Sequence, residues 1–192
     1  MLDEVSLDAL MEKLGLKPLG RAYVKRVRVS PPSRRVRGGR RSFAGRIASR
    51  KMNRTIQAES GTPEMALALK FENDPTIHEY WDQPEAVKIT YADGEGHRHG
   101  FWYKPDYLSI GEFEIALWQA KFDSELYALR EEKPLFYVLT DNKTWSMPRA
   151  DATCELLGFP HKVFASSQAD NILISNLTLL NGFLDDGIPN KS

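Results

Sequence analysis

Apolar residues recur along the chain at two spacings, and the places where the spacing changes mark its elements. Over residues 4–15, Leu7, Leu10, Met11 and Leu14 share one face at helical spacing, and Gly15 offers a stop. From Ser30 the stretch SPPSRRVRGGRRSFAGR has no such period. Pro, Gly, Ser and Arg dominate it, which predicts an extended arm with little structure of its own. Periodicity returns near Thr55. Thr62 can cap a helix and Pro63 suits its first turn, so a helix is expected over 63–72, ended by Asn73-Asp74-Pro75. Residues 85–92 alternate as a strand. Asp93-Gly94-Glu95-Gly96 turns into a second strand, roughly 97–108, and Ile110-Gly111-Glu112 into a third, roughly 112–121. Two hairpin turns in succession predict an antiparallel meander. A helix follows over 123–132, and PLFYVLT, starting at Pro134, is a continuous apolar run of the kind found in buried strands. Past Asp141 the pattern predicts a helix near 149–157, a short strand HKVFAS and a last helix near 168–183. There are no internal repeats. The order of helix, three-strand meander, helix and buried strand predicts an α/β fold, a mixed sheet flanked by helices.

Charge adds an asymmetry that the net value of zero conceals. Residues 21–54 carry thirteen Lys or Arg and no Asp or Glu, whereas acids outnumber bases from Thr55 onward. A basic block on an acidic body points to a polyanion-binding arm, with Arg34, Arg35, Arg37, Arg40, Arg41, Arg46, Arg50 and Lys51 as its expected DNA contacts. The chain is therefore expected to divide into an N-terminal helix and arm, residues 1–54, and a compact body, residues 55–192. No run of about 18 apolar residues occurs, so no membrane span is expected. The N-terminus has no basic-then-apolar signal pattern. The single Cys154 cannot form an internal disulfide and fits a reducing cytoplasm, as a small buried hydrophobe.

Four residues on three elements break the apolar pattern where a core should continue. On the third strand Phe113, Ile115, Leu117, Gln119 and Lys121 point one way, because strand side chains alternate. The first three should face the core, which leaves two polar groups at its rim. On the helix from Pro63, Glu64 heads a stripe continued by Leu67, Ala68 and Phe71. Asp106 follows Lys104-Pro105 near the end of the second strand, and a proline there demands an edge or a bulge. Each has a simpler reading alone: a strand emerging into solvent, an acid complementing a helix dipole, a turn-proximal aspartate. Together they form the layout of the PD-(D/E)xK nucleases, with an acid on a helix, an acid at a strand end and x-Lys on the adjacent strand. Gln119 and Lys121 must be two apart to face one site from one strand. Mg²⁺ takes hard oxygen ligands, usually one or two carboxylates completed by water and phosphate.

On the strings SRKMNRTIQAES, PEMALALKFENDP, EYWDQP, KPDYL and WQAKF, from about Ser49 to Thr140, the chain resembles the N-terminal catalytic domain of the TnsA endonuclease family of heteromeric bacterial transposases. A looser likeness extends to about Leu184. The resemblance implies a restriction-endonuclease-like core whose catalytic set is Glu64, Asp106, Gln119 and Lys121. It implies Mg²⁺, or Mn²⁺ in its place, held by Glu64, Asp106 and Gln119. Gln119 replaces the acid commonest in the wider superfamily, and Glu59 is a rival to Glu64 as the first ligand. The implied activity is hydrolysis of phosphodiester bonds at the 5′ ends of a transposon in double-stranded DNA. The implied partners are a DDE-type transposase subunit, which cuts the 3′ ends, and a regulatory AAA+ ATPase. The second domain through which longer family members contact that ATPase is expected to be lacking.

Other features carry less. His97 and His99 flank Arg98, but no third zinc ligand is evident, so solvated or DNA-facing histidines are expected. Trp81, Trp102, Trp118 and Trp145 are expected in the core or at its rim. No Gly-rich loop of the Walker type occurs. Two competing functions remain: a stand-alone restriction or repair nuclease, and a catalytically silent DNA-binding module that uses the arm.

Overall fold

A computed structural model describes residues 1–33, 44–59, 63–169 and 175–176. Helix α1, Glu4–Lys13, is capped by Asp3, whose carboxylate accepts the Ser6 N–H at 2.7 Å. It buries Leu7 and Met11. Helix α2, Pro18–Val29, is an element that the apolar spacing did not predict, and most of it lies within the basic block of residues 21–54. Its apolar stripe of Gly20, Tyr23, Val24 and Val27 is buried, and the arginines between them had hidden it. Gly20 is required by close packing. A Cβ there would stand 2.0 Å from the Leu157 carbonyl oxygen.

Strands β1, Ala44–Ser49, and β2, Arg54–Glu59, form an antiparallel hairpin with Ser49 opposite Arg54. Helix α3, Pro63–Asn73, buries Leu67, Ala68 and Phe71 as its stripe requires. There follow β3, Ile77–Asp82; β4, Val87–Ala92; β5, Arg98–Tyr103; β6, Tyr107–Gly111; and β7, Ile115–Lys121. Helix α4, Asp123–Glu132, precedes two short strands, β8, Val138–Leu139, and β9, Trp145–Ser146. Helix α5, Pro148–Leu157, β10, His161–Ala165, and a short 3-10 turn, Ser166–Gln168, complete the described elements.

The main sheet has the order β10-β7-β6-β3, with β7 and β10 parallel and the other pairs antiparallel. The α/β class thus holds, but the expected meander does not. The second expected strand is two strands in two sheets. β5 pairs with β4 in a separate ribbon, while β6 pairs with β7 and β3. The break falls at Lys104-Pro105, because proline has no N–H to give a ladder. The outer strand β3 went unpredicted because Glu79 and Asp82 disguise it. Both are buried in the structure. PLFYVLT is a turn for most of its length: Phe136 N–H bonds back to the Lys133 carbonyl and Leu135 is 72% exposed. The parallel place beside β7 belongs to β10 instead. Phe113, expected in the core, is exposed in the turn where Gly111 N–H meets the Glu114 carbonyl. The helix expected near 168–183 and the Thr62 cap lie outside the described residues, apart from the turn at 166–168 and helical residues 175–176.

One hydrophobic cluster joins Leu7, Met11, Val24, Ile47, Leu67, Tyr107 and Leu117. The N-terminal helices and β1 are therefore part of the same core as α3 and the sheet. The boundary expected at residue 54 falls inside β2. A second cluster, around Ile89, Tyr103, Leu126, Met147 and Val163, packs the β4–β5 ribbon, α4 and α5 against β10. Among the described residues no helix is long and apolar enough to cross a membrane. Cys154 is buried, as expected, and burial followed by the nearby Asp151 pushes its thiol up to about 12.

Candidate active site

At the end of the sheet where β7 stops and β6 begins, a cleft of about 270 Å³ is lined by Glu64, Asp106, Gln119 and Lys121. Glu59, Lys104 and Glu125 complete its polar wall. All four expected catalytic residues are brought together, from α3, from the break before β6 and from β7. Glu59, at the end of β2, lines the same cleft, so it remains a rival to Glu64.

Asp106 is held by its backbone as much as by its side chain. Its N–H donates to the Trp118 carbonyl at 2.8 Å, and its carbonyl accepts the Gln83 N–H at 2.8 Å. Its carboxylate Oδ2 accepts the Ala120 N–H at 2.8 Å and a bond from Gln119 Nε2. Only 1% of the residue is exposed. The Asp82-Gln83-Pro84 turn makes this anchoring possible. Gln83 is buried with φ +48, a left-handed conformation that turns its N–H toward Asp106. Burial raises the pKa of the neighbouring Asp82. The Gln57 N–H and the Arg54 guanidinium, 3.5 Å from its Oδ1, oppose that rise.

Gln119 presents its amide N–H₂, not its carbonyl, to Asp106. In this arrangement it donates a hydrogen bond that orients a buried carboxylate, rather than offering the ligand oxygen expected of it. Glu64 sits in the first turn of α3. Burial first, then the charges of Glu64 and Asp106, push the pKa of the Tyr107 hydroxyl well above the ordinary value. Lys121 leans on Glu125, in the first turn of α4, at 3.9 Å, and keeps a quarter of its side chain exposed.

The ring contacts of Phe71 with Tyr80, Tyr107 and Trp118 place these residues on the α3 face of the sheet. Alternation then puts Gln119 and Lys121 on the opposite face. Glu64 joins them only because the cleft lies beyond the strand ends.

Comparison with models of known protein families and with curated proteins finds no match. Among the described residues no group of three or more His, Cys, Asp or Glu side chains is arranged to hold a metal ion. The donors in the cleft are nevertheless hard oxygens, the Glu64 and Asp106 carboxylates with Glu59 at the wall. That set suits a cation such as Mg²⁺, which keeps several waters and needs only one or two carboxylates.

Of the expected DNA contacts, Arg34, Arg35, Arg37, Arg40 and Arg41 lie outside the described residues. Arg46 and Arg50 are exposed on the β1–β2 hairpin. Lys51 is turned inward. Its ammonium donates to the carbonyls of Phe71 and Asp74, at 2.5 and 2.6 Å, and closes the C-terminus of α3. Sequence reasoning overlooked Lys104 and Glu125. Their signals were present, two residues before Asp106 and four after Lys121.

Proposed function

We propose that this chain is a metal-dependent DNA endonuclease with a restriction-endonuclease-like core, the nuclease subunit of a heteromeric transposase that hydrolyses phosphodiester bonds at transposon 5′ ends. The observation that carries this reading is the meeting of Glu64, Asp106, Gln119 and Lys121 in one cleft, from three elements far apart in sequence. The succession α3, β3, β6, β7, α4, β10 supports it, since an acid on the helix, an acid before β6 and x-Lys on the antiparallel β7 follow the PD-(D/E)xK layout. When bound, Mg²⁺ or Mn²⁺ would polarise the scissile phosphate and lower the pKa of the attacking water. Glu64 and Asp106 would hold that cation. Ala120 N–H and Gln119 fix the Asp106 carboxylate, so it need not reorganise as charge develops. Lys121, opposite the acids, offers its ammonium to the phosphate oxygens. The resemblance further supplies the partner, a DDE-type transposase that already holds the transposon end. Alignment by that partner can contribute about 7–11 kcal/mol of barrier reduction, so the isolated chain is expected to be nearly inert on plain duplex.

The test is a nicking assay on plasmid bearing the element's ends, with and without the transposase subunit, in Mg²⁺ or Mn²⁺. Asp106→Ala and Lys121→Ala are each expected to abolish cleavage while leaving the melting transition in place. Full activity of purified Asp106→Ala protein would overturn the assignment. Strong sequence-specific cutting by the chain alone would favour a stand-alone restriction enzyme. Metal-independent DNA binding with no cleavage under any condition would favour the silent module.

A further inference from the structure

The β4–β5 ribbon is no part of the core sheet, and its two faces differ completely. Ile89 and Tyr103 are buried in the second hydrophobic cluster, with Phe101 packed against it, and Val87 is buried in the first. The opposite face holds Lys88, Thr90 and Ala92 from β4, and Arg98, Gly100 and Trp102 from β5, and every one is exposed. The register sets Lys88 against Trp102, Thr90 against Gly100 and Ala92 against Arg98. A slip of one residue would turn the buried set outward, so packing fixes this arrangement. Neither strand contributes an acid to the exposed face. The two acids, Asp93 and Glu95, lie in the connecting turn and not on this face: Asp93 accepts from His99 at 2.8 Å, and His97 lies 3.5 Å from Asp93 and Glu95. Trp102 is 66% exposed and offers a flat ring on this face. Two residues beyond it, Lys104 enters the wall of the cleft that holds Asp106. The end of β5 is thus joined to the candidate active site through Lys104.

We propose that this exposed ribbon face is a duplex-DNA contact surface, with Lys88 and Arg98 on phosphates and Trp102 against the sugar edge beside the cleft. The proposal rests on the nuclease reading for its occupant. Its own support is charge complementarity and continuity with the cleft. A two-stranded ribbon fits the width of a DNA major groove, Gly100 keeps the middle of the face low, and phosphate contacts from a basic surface position a duplex without reading its sequence. The basic N-terminal stretch would then grip the DNA elsewhere, while the ribbon sets where the scissile bond falls relative to Asp106.

The experiment measures anisotropy of a short labelled duplex titrated with full-length protein across a salt series in EDTA, so that no cleavage is needed. The Lys88→Glu/Arg98→Glu variant is compared with the charge-matched Lys13→Glu/Lys143→Glu variant, both checked for an unchanged melting transition. The ribbon variant is expected to bind about tenfold more weakly and to lose about two units of salt slope, with the control near wild type. In parallel, Trp102→Phe should abolish most of the change in tryptophan emission on DNA binding. A ribbon variant that binds like wild type, a control that weakens equally, or no duplex binding at all would overturn the proposal. So would an emission change unaffected by Trp102→Phe. The two readings fail separately. A protein that cleaves normally but ignores the ribbon substitutions loses the ribbon, and one that binds through the ribbon but never cuts loses the nuclease.

Discussion

Asp106 shows how much one residue depends on its neighbours. It is buried beside a second acid-bearing element, and its Oδ2 is satisfied by one backbone N–H and by Gln119. An amide at position 119 can donate to a carboxylate, whereas a glutamate there would place two like charges in contact. At an effective dielectric near 20 that repulsion is about 4 kcal/mol at 4 Å, limited by the ease of protonating one partner. Gln119→Glu is therefore expected to lose roughly 2–4 kcal/mol at neutral pH without divalent cations, and to recover most of it in Mg²⁺. The loss should shrink toward acid pH, as one carboxyl takes a proton. Thermal melting with and without Mg²⁺ measures this. Equal melting shifts in the variant and wild type would show that no cation sits between these groups. The role of Gln119 was only half legible in the sequence. Its place at a rim followed from alternation, but the direction of its amide depended on where Asp106 came to rest.

Elements are tied to one another by a few polar hubs, and Glu72 near the end of α3 is one. Its carboxylate accepts from Ser49 Oγ, from the N–H groups of Arg50 and Lys51, and from the Tyr80 hydroxyl at 2.7 Å. It thereby holds the β1–β2 turn and β3 against α3. Burial acts to raise its pKa, but the bonds from Ser49, Tyr80, Lys51 and Arg50 outweigh it and leave the group below its ordinary value of 4.5. The sign follows: a depressed carboxyl stabilises the fold fully above about pH 4.5, and that stability is lost as pH falls through the lower, folded value. Glu72→Ala should cost about 1–3 kcal/mol at neutral pH, because Ser49 and Tyr80 lose their acceptor. The melting temperatures of variant and wild type should converge below pH 4.5. A deficit that persists undiminished in acid would mean that the charge of Glu72 does not hold the hairpin. No periodicity in the sequence points to Glu72, since the groups it joins are brought together only by packing.

At the scale of the whole chain, the N-terminal segment is core before it is arm. A variant beginning at Thr55 would lose the buried side chains of Leu7, Met11, Leu16, Tyr23, Val24, Val27, Ile47 and Met52. At about 1.5–3 kcal/mol each, their burial is comparable to or larger than the whole net stability of an ordinary domain, about 5–15 kcal/mol. It would also strip Glu79 of the Arg28 guanidinium, 2.9 Å away in the interior. The variant is expected to be insoluble or to melt without a cooperative transition, as read by circular dichroism. A cooperative transition near the wild-type temperature would show that 55–192 is an independent unit. DNA binding by the basic stretch is therefore tested in the full chain, by substituting Arg34, Arg35, Arg37, Arg40 and Arg41.

Local spacing in the sequence by itself is sufficient for α1, α3, α4, α5, β4, β7 and β10, and for the residue types of the candidate site, because a helix or strand face is a property of a few consecutive residues. Only the tertiary structure decided the rest. It split the second expected strand at Pro105, because a ladder partner cannot be read from the strand alone. It placed β3 in the sheet, because Glu79 becomes a core residue only when Arg28 arrives from α2. It turned Lys51 from a presumed DNA contact into the closure of α3. It also brought Glu64 and Gln119 from opposite faces of a sheet to one cleft, since which strand ends meet is fixed by long-range packing and not by any spacing along the chain.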